Sequence, residues 1–379
     1  MKLKFSKYDQ MKKYFTIKNC PIVIYGAGMI GQIIMPYIIQ DLGVVDNLLF
    51  YVDGDIAKQR TTIKVGSKKV TVKSTEVLTK LTKDTVILIT NSNYSSVLVM
   101  LNKMEELEQN VGIIIPIILA EKVKNNYVSK AVKEVTNLTG ITIPKKIHYC
   151  WFSGKPMPDY LEKCIDSWKR VCPDYEIIRW DESNYDVNKN VYMKQAYDAG
   201  KWGFIPDIAR LEILYKYGGI YLDTDVEVIK NLDDLLTCEA FAGVEKWGNI
   251  NMGGCSGATP HHPIIKKMLD FRIHEHFIRS DGTMNLTTCG YYETMPLIEM
   301  GYIPNNITQN INGMTIFSSD FFHPYDYMSG ETIITNNTYS IHHFNGGWID
   351  EKHKMLREKT REEYQAVLGT VNENIELEE

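Results

Sequence analysis

Asp223 and Asp225 close the run Gly218-Gly219-Ile220-Tyr221-Leu222-Asp223-Thr224-Asp225, and side chains two residues apart in extended chain leave the same face of the backbone. Two like charges held that close call for a cation. Oxygen donors with no cysteine among them suit a hard divalent ion, Mn2+ or Mg2+, which keeps open positions for water and substrate phosphates. Upstream, Asp207 and Arg210 stand at i and i+3 and share a face if their segment is helical. Such a pair is either a plain surface ion pair or part of the same cleft as the two aspartates. In the cleft, the guanidinium would hold a phosphate or sugar hydroxyl and the carboxylate would accept from sugar hydroxyls. An Asp-x-Asp alone is also what the start of a turn looks like, so its neighbours decide its meaning.

Those neighbours are regular elements. Ile208, Leu211, Ile213, Leu214 and Tyr217 recur near the helical period, and Gly218-Gly219 stops the helix and turns the chain into Ile220-Tyr221-Leu222. A strand therefore delivers both aspartates at its C-terminal end. Ile147-His148-Tyr149-Cys150-Trp151 alternates as another strand, with Tyr149 and Trp151 on one face and His148 on the other, where a satisfied core histidine is the plain reading. Leu161 to Val171 reads as a helix and Tyr175 to Trp180 as the next strand. The segment from Asn251 to Ala258 is a small-residue loop, either simple turn structure or a close backbone approach to a sugar through Gly253 and Gly254. His261-His262 and the cluster from Arg272 to His276 lack zinc-protease spacing and read as surface or helix residues.

An Asp-x-x-Arg helix followed by Gly-Gly-x-Tyr-x-Asp-x-Asp resembles the glycosyltransferases with a DXD-type sugar-binding region. That group takes in bacterial capsular polysaccharide sugar transferases, yeast-type initiating mannosyltransferases and, more distantly, the large clostridial glucosylating toxins. The resemblance extends upstream to the run from Ile143 to Phe152 and downstream to His342-His343-Phe344-Asn345-Gly346-Gly347-Trp348, and so covers residues 141–350. It implies an α/β, GT-A type nucleotide-diphospho-sugar transferase that depends on Mn2+ or Mg2+ and retains anomeric configuration. The donor it implies is a nucleotide-sugar, a UDP-sugar first. The acceptor is a glycan or lipid-linked saccharide of bacterial surface or capsular polysaccharide, met by peripheral association with a membrane.

Carried onto this chain, the resemblance makes Asp207, Arg210, Asp223 and Asp225 the catalytic set. Donor contacts fall to Trp151, Asp207, Arg210, Tyr221, Asp223, Gly253, Gly254 and Trp348. Asp223 and Asp225 ligate the ion, with His343 as the third ligand; His342 and His343 alternate sides if extended, so one of them reaches the site. In the toxins the tryptophan of the matching strand stacks on the nucleotide base, which gives Trp151 a ligand role against the core role a strand-end tryptophan otherwise has. Two departures stand out: Gly347 replaces a serine that many relatives carry, and the segment from Thr287 to Thr294 sits where relatives carry Gly-Pro, which leaves acceptor contacts unassigned.

The first 140 residues carry a second pattern. No charged side chain occurs from Asn19 to Gln40, long enough to span a bilayer, yet Pro21 to Tyr25 is β-rich and Gly26-Ala27-Gly28-Met29-Ile30-Gly31 matches G-x-G-x-x-G. Strand, tight turn and helix explain the stretch better. Leu48 to Val52 then reads as a strand ending at Asp53, where such folds place a ribose-binding acid; Thr85 to Thr90 and Val111 to Ile115 read as further strands, with a helical run to about Gln109 between them. A Rossmann-like parallel sheet results, and Gly26, Gly28, Gly31 and Asp53 either bind a dinucleotide or serve packing alone. Dinucleotide binding would make the chain an NAD-linked sugar-nucleotide oxidoreductase or epimerase; a non-catalytic carbohydrate-binding subunit is the third alternative.

The 379 residues, 44% hydrophobic and 23% charged, supply more than one packed core. Three segments are expected: 1–140 Rossmann-like, 141–350 glycosyltransferase, and 351–379 a charged helix and solvated tail. A formal charge of −5 argues against a nucleic-acid partner. Seven scattered cysteines without a CxxC pair, and an N-terminus lacking a signal-peptide core, point to a reduced, cytoplasmic protein.

Overall fold

A computed structural model of the protein describes residues 1–125, 140, 142–346 and 351–371. The chain divides into two compact units, one of residues 1–127, 328–330 and 351–379, the other of residues 128–327 and 331–350.

In the first unit, β1 (Lys2–Leu3), β2 (Ile22–Tyr25), β3 (Leu48–Val52), β4 (Thr62–Val65), β5 (Lys68–Lys73), β6 (Val86–Ile89) and β7 (Val111–Ile114) form one sheet in the order β1-β7-β6-β2-β3-β5-β4. All neighbours run parallel except the β4–β5 hairpin. The four residues of β2 and of β6 are all buried, as continuous Val/Ile/Leu runs require when helices cover both faces. β3 follows on one side of β2 and β6 on the other, so the glycine turn after β2 lies at the point where strand order reverses. The β4–β5 hairpin is not among the expected strands, although Ile63, Val65, Val70 and Val72 alternate with polar residues around Gly66-Ser67; β1 is only two residues long.

The glycines of that turn do different jobs. Gly26 has φ +107°, and a Cβ on Gly31 would lie 2.1 Å from the Gly26 carbonyl oxygen, whereas nothing lies within 4 Å of one on Gly28. Gly31→Ala should therefore cost about 1–3 kcal/mol through overpacking and lower the melting temperature by several degrees. Gly28→Ala should stay within about 0.5 kcal/mol of wild type, as a substitution into open space does. Thermal unfolding of the two variants measures the contrast.

The helix expected in the C-terminal segment spans Glu351–Thr370, and on it Thr360 and Tyr364 share one face and are buried. Thr360 Oγ1 donates to Asn93 Oδ1 at 3.2 Å and the Tyr364 hydroxyl to Glu121 Oε1 at 2.8 Å, both within the first unit.

The second unit holds β8 (Lys146–Cys150), β9 (Glu176–Trp180), β10 (Gly219–Tyr221), β11 (Val226–Val228), β12 (Ala240–Val244), β13 (Ile250–Ala258), β14 (Gln309–Ile311), β15 (Met314–Phe317) and β16 (Ser340–His342). Seven of them make a mixed sheet in the order β14-β15-β12-β13-β10-β8-β9, and β11 pairs with β16 as a separate antiparallel ribbon. Apolar clusters on the two sides of the sheet fix its position. One gathers Tyr192, Phe204, Ile208, Leu211, Met252 and Ile265; the other gathers Ile147, Trp168, Ile220, Leu222, Phe241 and Phe317. β8 and β10 are parallel neighbours, Ile147 opposite Ile220 and His148 opposite Tyr221, so Trp151 and Asp223 emerge at the same edge of the sheet.

Candidate active site

The helix Pro206–Tyr217 ends at Gly218, whose φ of +64° followed by +94° at Gly219 needs residues without a side chain, and the chain passes directly into β10. Asp223 and Asp225 lie in the turn between β10 and β11, not both on a strand as their spacing predicts. They converge all the same. One donor atom each from Asp223, Asp225 and His342 lie within 4.8 Å of one another, a grouping among the described residues that could hold a metal ion.

The sequence expectation of His343 as the third ligand is corrected here. The β11–β16 register sets His342 opposite Val226, so the His342 ring falls beside Asp225, Nε2 to Oδ1 3.4 Å, while alternation turns His343 the other way onto Glu227 Oε2 at 3.2 Å. The backbone tightens the same corner: Asn345 N–H donates to Asp225 Oδ2 at 2.9 Å and His343 N–H to the Asp225 carbonyl at 3.0 Å. Phe344 stacks on the His342 ring at 4.0 Å. Burial works against charge on both partners, yet the pairing prevails: His342 holds the Asp225 carboxyl down at about 2, and Asp225, with Asp223 and Glu245 behind it, lifts His342 above its ordinary value.

Asp223 is held from three sides. Its N–H donates to the Gly253 carbonyl at 2.8 Å, its Oδ1 accepts from the Tyr221 hydroxyl at 3.0 Å, and its Oδ2 faces Arg210 Nη1 at 3.7 Å. The segment from Asn251 to Ala258 is not a loop but part of the fully buried β13, and its small residues leave room for side chains. A Cβ on Gly253 would sit 2.0 Å from Asp223 Oδ2, and one on Gly254 would sit 2.1 Å from His323 Nε2.

Asp207 and Arg210 differ from expectation. They are not a solvated ion pair: they are 5% and 2% exposed. Asp207 Oδ1 accepts from Arg210 Nη2 and its Oδ2 from Arg272 Nη2, both at 2.8 Å, so each of its oxygens meets a guanidinium. Arg272, read from the sequence as a surface or helix residue, ends the helix Pro263–Arg272 and is wholly buried over the rings of Tyr192 and Tyr292. Tyr221, expected as a donor contact, is likewise buried and acts by orienting Asp223. Glu293, unmarked in the sequence because it sits in an apolar helix, Cys289–Ile298, is 1% exposed, accepts from Met252 N–H at 2.9 Å, and is pushed up to about 7 by burial against the pull of Arg210.

Trp151 sits just past β8, half-buried and outside both apolar clusters, with its indole Nε1–H donating to the Lys155 carbonyl at 2.8 Å. His148 is the satisfied core histidine expected: Trp180 Nε1–H donates to its Nδ1 at 3.2 Å, its Nε2 meets the Gly218 carbonyl at 3.0 Å, and burial lowers it to about 4. Gly347 and Trp348 lie outside the described residues. In the first unit, Asp53 accepts from Ala27 N–H at 2.7 Å and from Asp55 N–H at 2.9 Å, with Lys58 Nζ 3.4 Å away. The acid that could meet a ribose is thus clamping the glycine turn.

A mixed sheet that brings two aspartates together at one edge, beside a helix carrying a buried arginine, is similar to the glycosyltransferases with a DXD motif. Residues 158–242, from the helix after Trp151 through β12, match the family described as glycosyltransferase sugar-binding region containing DXD motif. Two relatives carry the likeness further. An uncharacterized glycosyltransferase of Acanthamoeba polyphaga mimivirus is 28% identical over 191 residues, 48% of this chain and 73% of the relative. Inositol phosphoceramide mannosyltransferase 3 of Schizosaccharomyces pombe is 31% identical over 155 residues, 38% of this chain and 42% of the relative, so the chain spans less than half of it. Among solved structures, PaToxG glycosyltransferase covers 48% of this chain and 76% of its own at 20% identity and a TM-score of 0.36. Among the described residues, no helix is long and apolar enough to cross a membrane, and the seven cysteines are free.

Proposed function

We propose that the chain moves a hexosyl group from a nucleotide-sugar, a UDP-sugar first, to a hydroxyl of a saccharide or lipid-linked saccharide, with Mn2+ or Mg2+ held by Asp223, Asp225 and His342. The convergence of those three donor atoms within 4.8 Å is the observation that carries the reading. Two carboxylates and an imidazole suit Mn2+ in particular, and Gly253, where a Cβ would lie 2.0 Å from Asp223 Oδ2, gives the carboxylate room to take its place. A divalent ion held there would supply positive charge to offset the negative charge of the donor diphosphate. The protein's own part is to hold: Tyr221 and the Gly253 carbonyl fix Asp223, Arg210 stands behind its outer oxygen, and Asn345 and His342 fix Asp225. Relatives named as inositol phosphoceramide mannosyltransferases support a lipid-linked acceptor, met by peripheral contact from the cytoplasmic side.

Trp151 supplies the platform for the nucleotide base in this reading. Its place at the Asp223 edge of the sheet, half-buried and away from the core, supports that role. Trp151→Ala should weaken donor binding by the stacking term, about 1–3 kcal/mol or roughly 5- to 150-fold, and Trp151→Phe should recover much of it. Calorimetric donor titrations beside melting curves test this; a drop of several degrees in melting temperature with donor affinity unchanged would assign Trp151 to the core instead.

A further inference from the structure

Arg210 has one corner that the rest of the protein leaves open. Its Nε donates to the Pro206 carbonyl at 3.1 Å and its Nη2 to Asp207, which pins the guanidinium to its own helix. Nη1 has no hydrogen-bond partner and lies between two carboxylates, 3.7 Å from Asp223 Oδ2 and 3.8 Å from Glu293 Oε1. Glu293 Oε1 is unpartnered as well, while its other oxygen is tied to Met252 N–H in β13, the residue before Gly253. Arg210 and Glu293 are sealed from water, their side chains 3% and 1% exposed, whereas Asp223 in front of them is 26% exposed.

Charge balance gives the arrangement its meaning. Two buried guanidiniums, Arg210 and Arg272, share the Asp207 carboxylate. One positive charge is left over, and an unbalanced charge in such a place is strongly unfavourable. The two anions within reach are Glu293 behind and Asp223 in front. Whichever neutralises Arg210 sets how much of the Asp223 charge remains for a cation, because closing 3.7 Å to a bond of about 2.9 Å would commit Asp223 Oδ2 to Arg210.

We propose that Glu293 is a positioning residue: as the rear counter-charge of Arg210 it keeps the guanidinium off Asp223, whose outer oxygen is thereby kept for the cation. This rests on the reading of Asp223 and Asp225 as cation ligands. Gly253, wedged between the two groups without a side chain, keeps the gap short enough for the competition to matter.

The test is calorimetric Mn2+ titration of the full chain at pH 8, with melting curves recorded alongside. Glu293→Gln keeps the shape and the acceptor for Met252 N–H but removes the charge, and should weaken Mn2+ binding by about ten-fold, the lower end of what residues orienting a metal ligand contribute. In an Arg210→Gln background the same change should have no effect on Mn2+ affinity, because no guanidinium remains to be diverted. A merely structural role would lower affinity in both backgrounds. Unchanged Mn2+ affinity in Glu293→Gln, or an equal loss with Arg210→Gln present, overturns the proposal. Should Glu293→Gln not fold, Glu293→Asp withdraws the carboxylate by one methylene and should lose about three-fold, a weakened form of the same charge effect; no loss there overturns it too. Wild-type protein that binds no Mn2+ removes the cation-site reading and this inference with it, whereas wild-type binding with an unaffected variant removes the inference alone.

Discussion

Asp225→Asn should abolish sugar transfer and leave the fold in place. The substitution keeps the size of the side chain and its acceptor for Asn345 N–H while removing the charge that His342 and a cation both need. Asp223→Asn should do the same from the other side of the site, keeping the bond from the Tyr221 hydroxyl. Loss of a group that stabilises developing charge lowers turnover by on the order of 10²–10³-fold or more, and Mn2+ affinity should fall in parallel. The acid limb of stability carries a second signature. Asp225 is held at about 2, below its ordinary 3.8, so its pairing stabilises the fold fully above about pH 4 and ceases to do so as pH falls toward 2. The Asp225→Asn variant should lack that part of the acid transition. Full activity in both variants, read by donor turnover with circular dichroism as the control for folding, would contradict the assignment.

His342→Ala and His343→Ala should separate cleanly although the residues are adjacent. Removing His342 takes away a ligand and should weaken Mn2+ binding by at least about 100-fold, more than loss of a residue that merely orients a ligand. Removing His343 costs an exposed pair with Glu227 and should leave Mn2+ binding unchanged. Proton release supplies an independent readout. His342 sits above its ordinary 6.5 because Asp225 overcomes the effect of burial, and it must lose its proton to ligate. Mn2+ affinity should therefore rise with pH as His342 gives up its proton, and binding should release that proton wherever the free protein still holds it. Calorimetry in buffers of different ionisation enthalpy counts that proton; in His342→Ala it should be gone. The opposite ranking of the two variants would restore His343 to the site.

Much of this was visible in residue types and order. The period of Ile208, Leu211 and Leu214, the Gly218-Gly219 stop and the β-rich run after it yield the helix, turn and strand before Asp223, because local chemistry and tertiary packing agree there. The β2–β3–β6 core of the first unit was legible for the same reason. What could not be read was set by long-range pairing. Choosing His342 over His343 needs the β11–β16 register, fixed across more than a hundred residues of chain. Arg272 and Glu293 are invisible as functional residues because burial of a charge depends on partners that sequence spacing does not bring together. β13 misled through composition: a run of Gly, Ser and Ala looks like a loop until Asp223 and His323 are seen filling the space those residues leave.

Donor hydrolysis is the most direct measurement of the central claim. Purified chain incubated with Mn2+ and a panel of UDP- and GDP-sugars, mannose, glucose and N-acetylglucosamine among them, should slowly release nucleoside diphosphate from one member of the panel. That release should stop in EDTA and be absent in Asp225→Asn. Release that persists unchanged in EDTA and in Asp225→Asn, or no release and no donor binding across the panel, would contradict a cation-dependent nucleotide-sugar site at Asp223, Asp225 and His342.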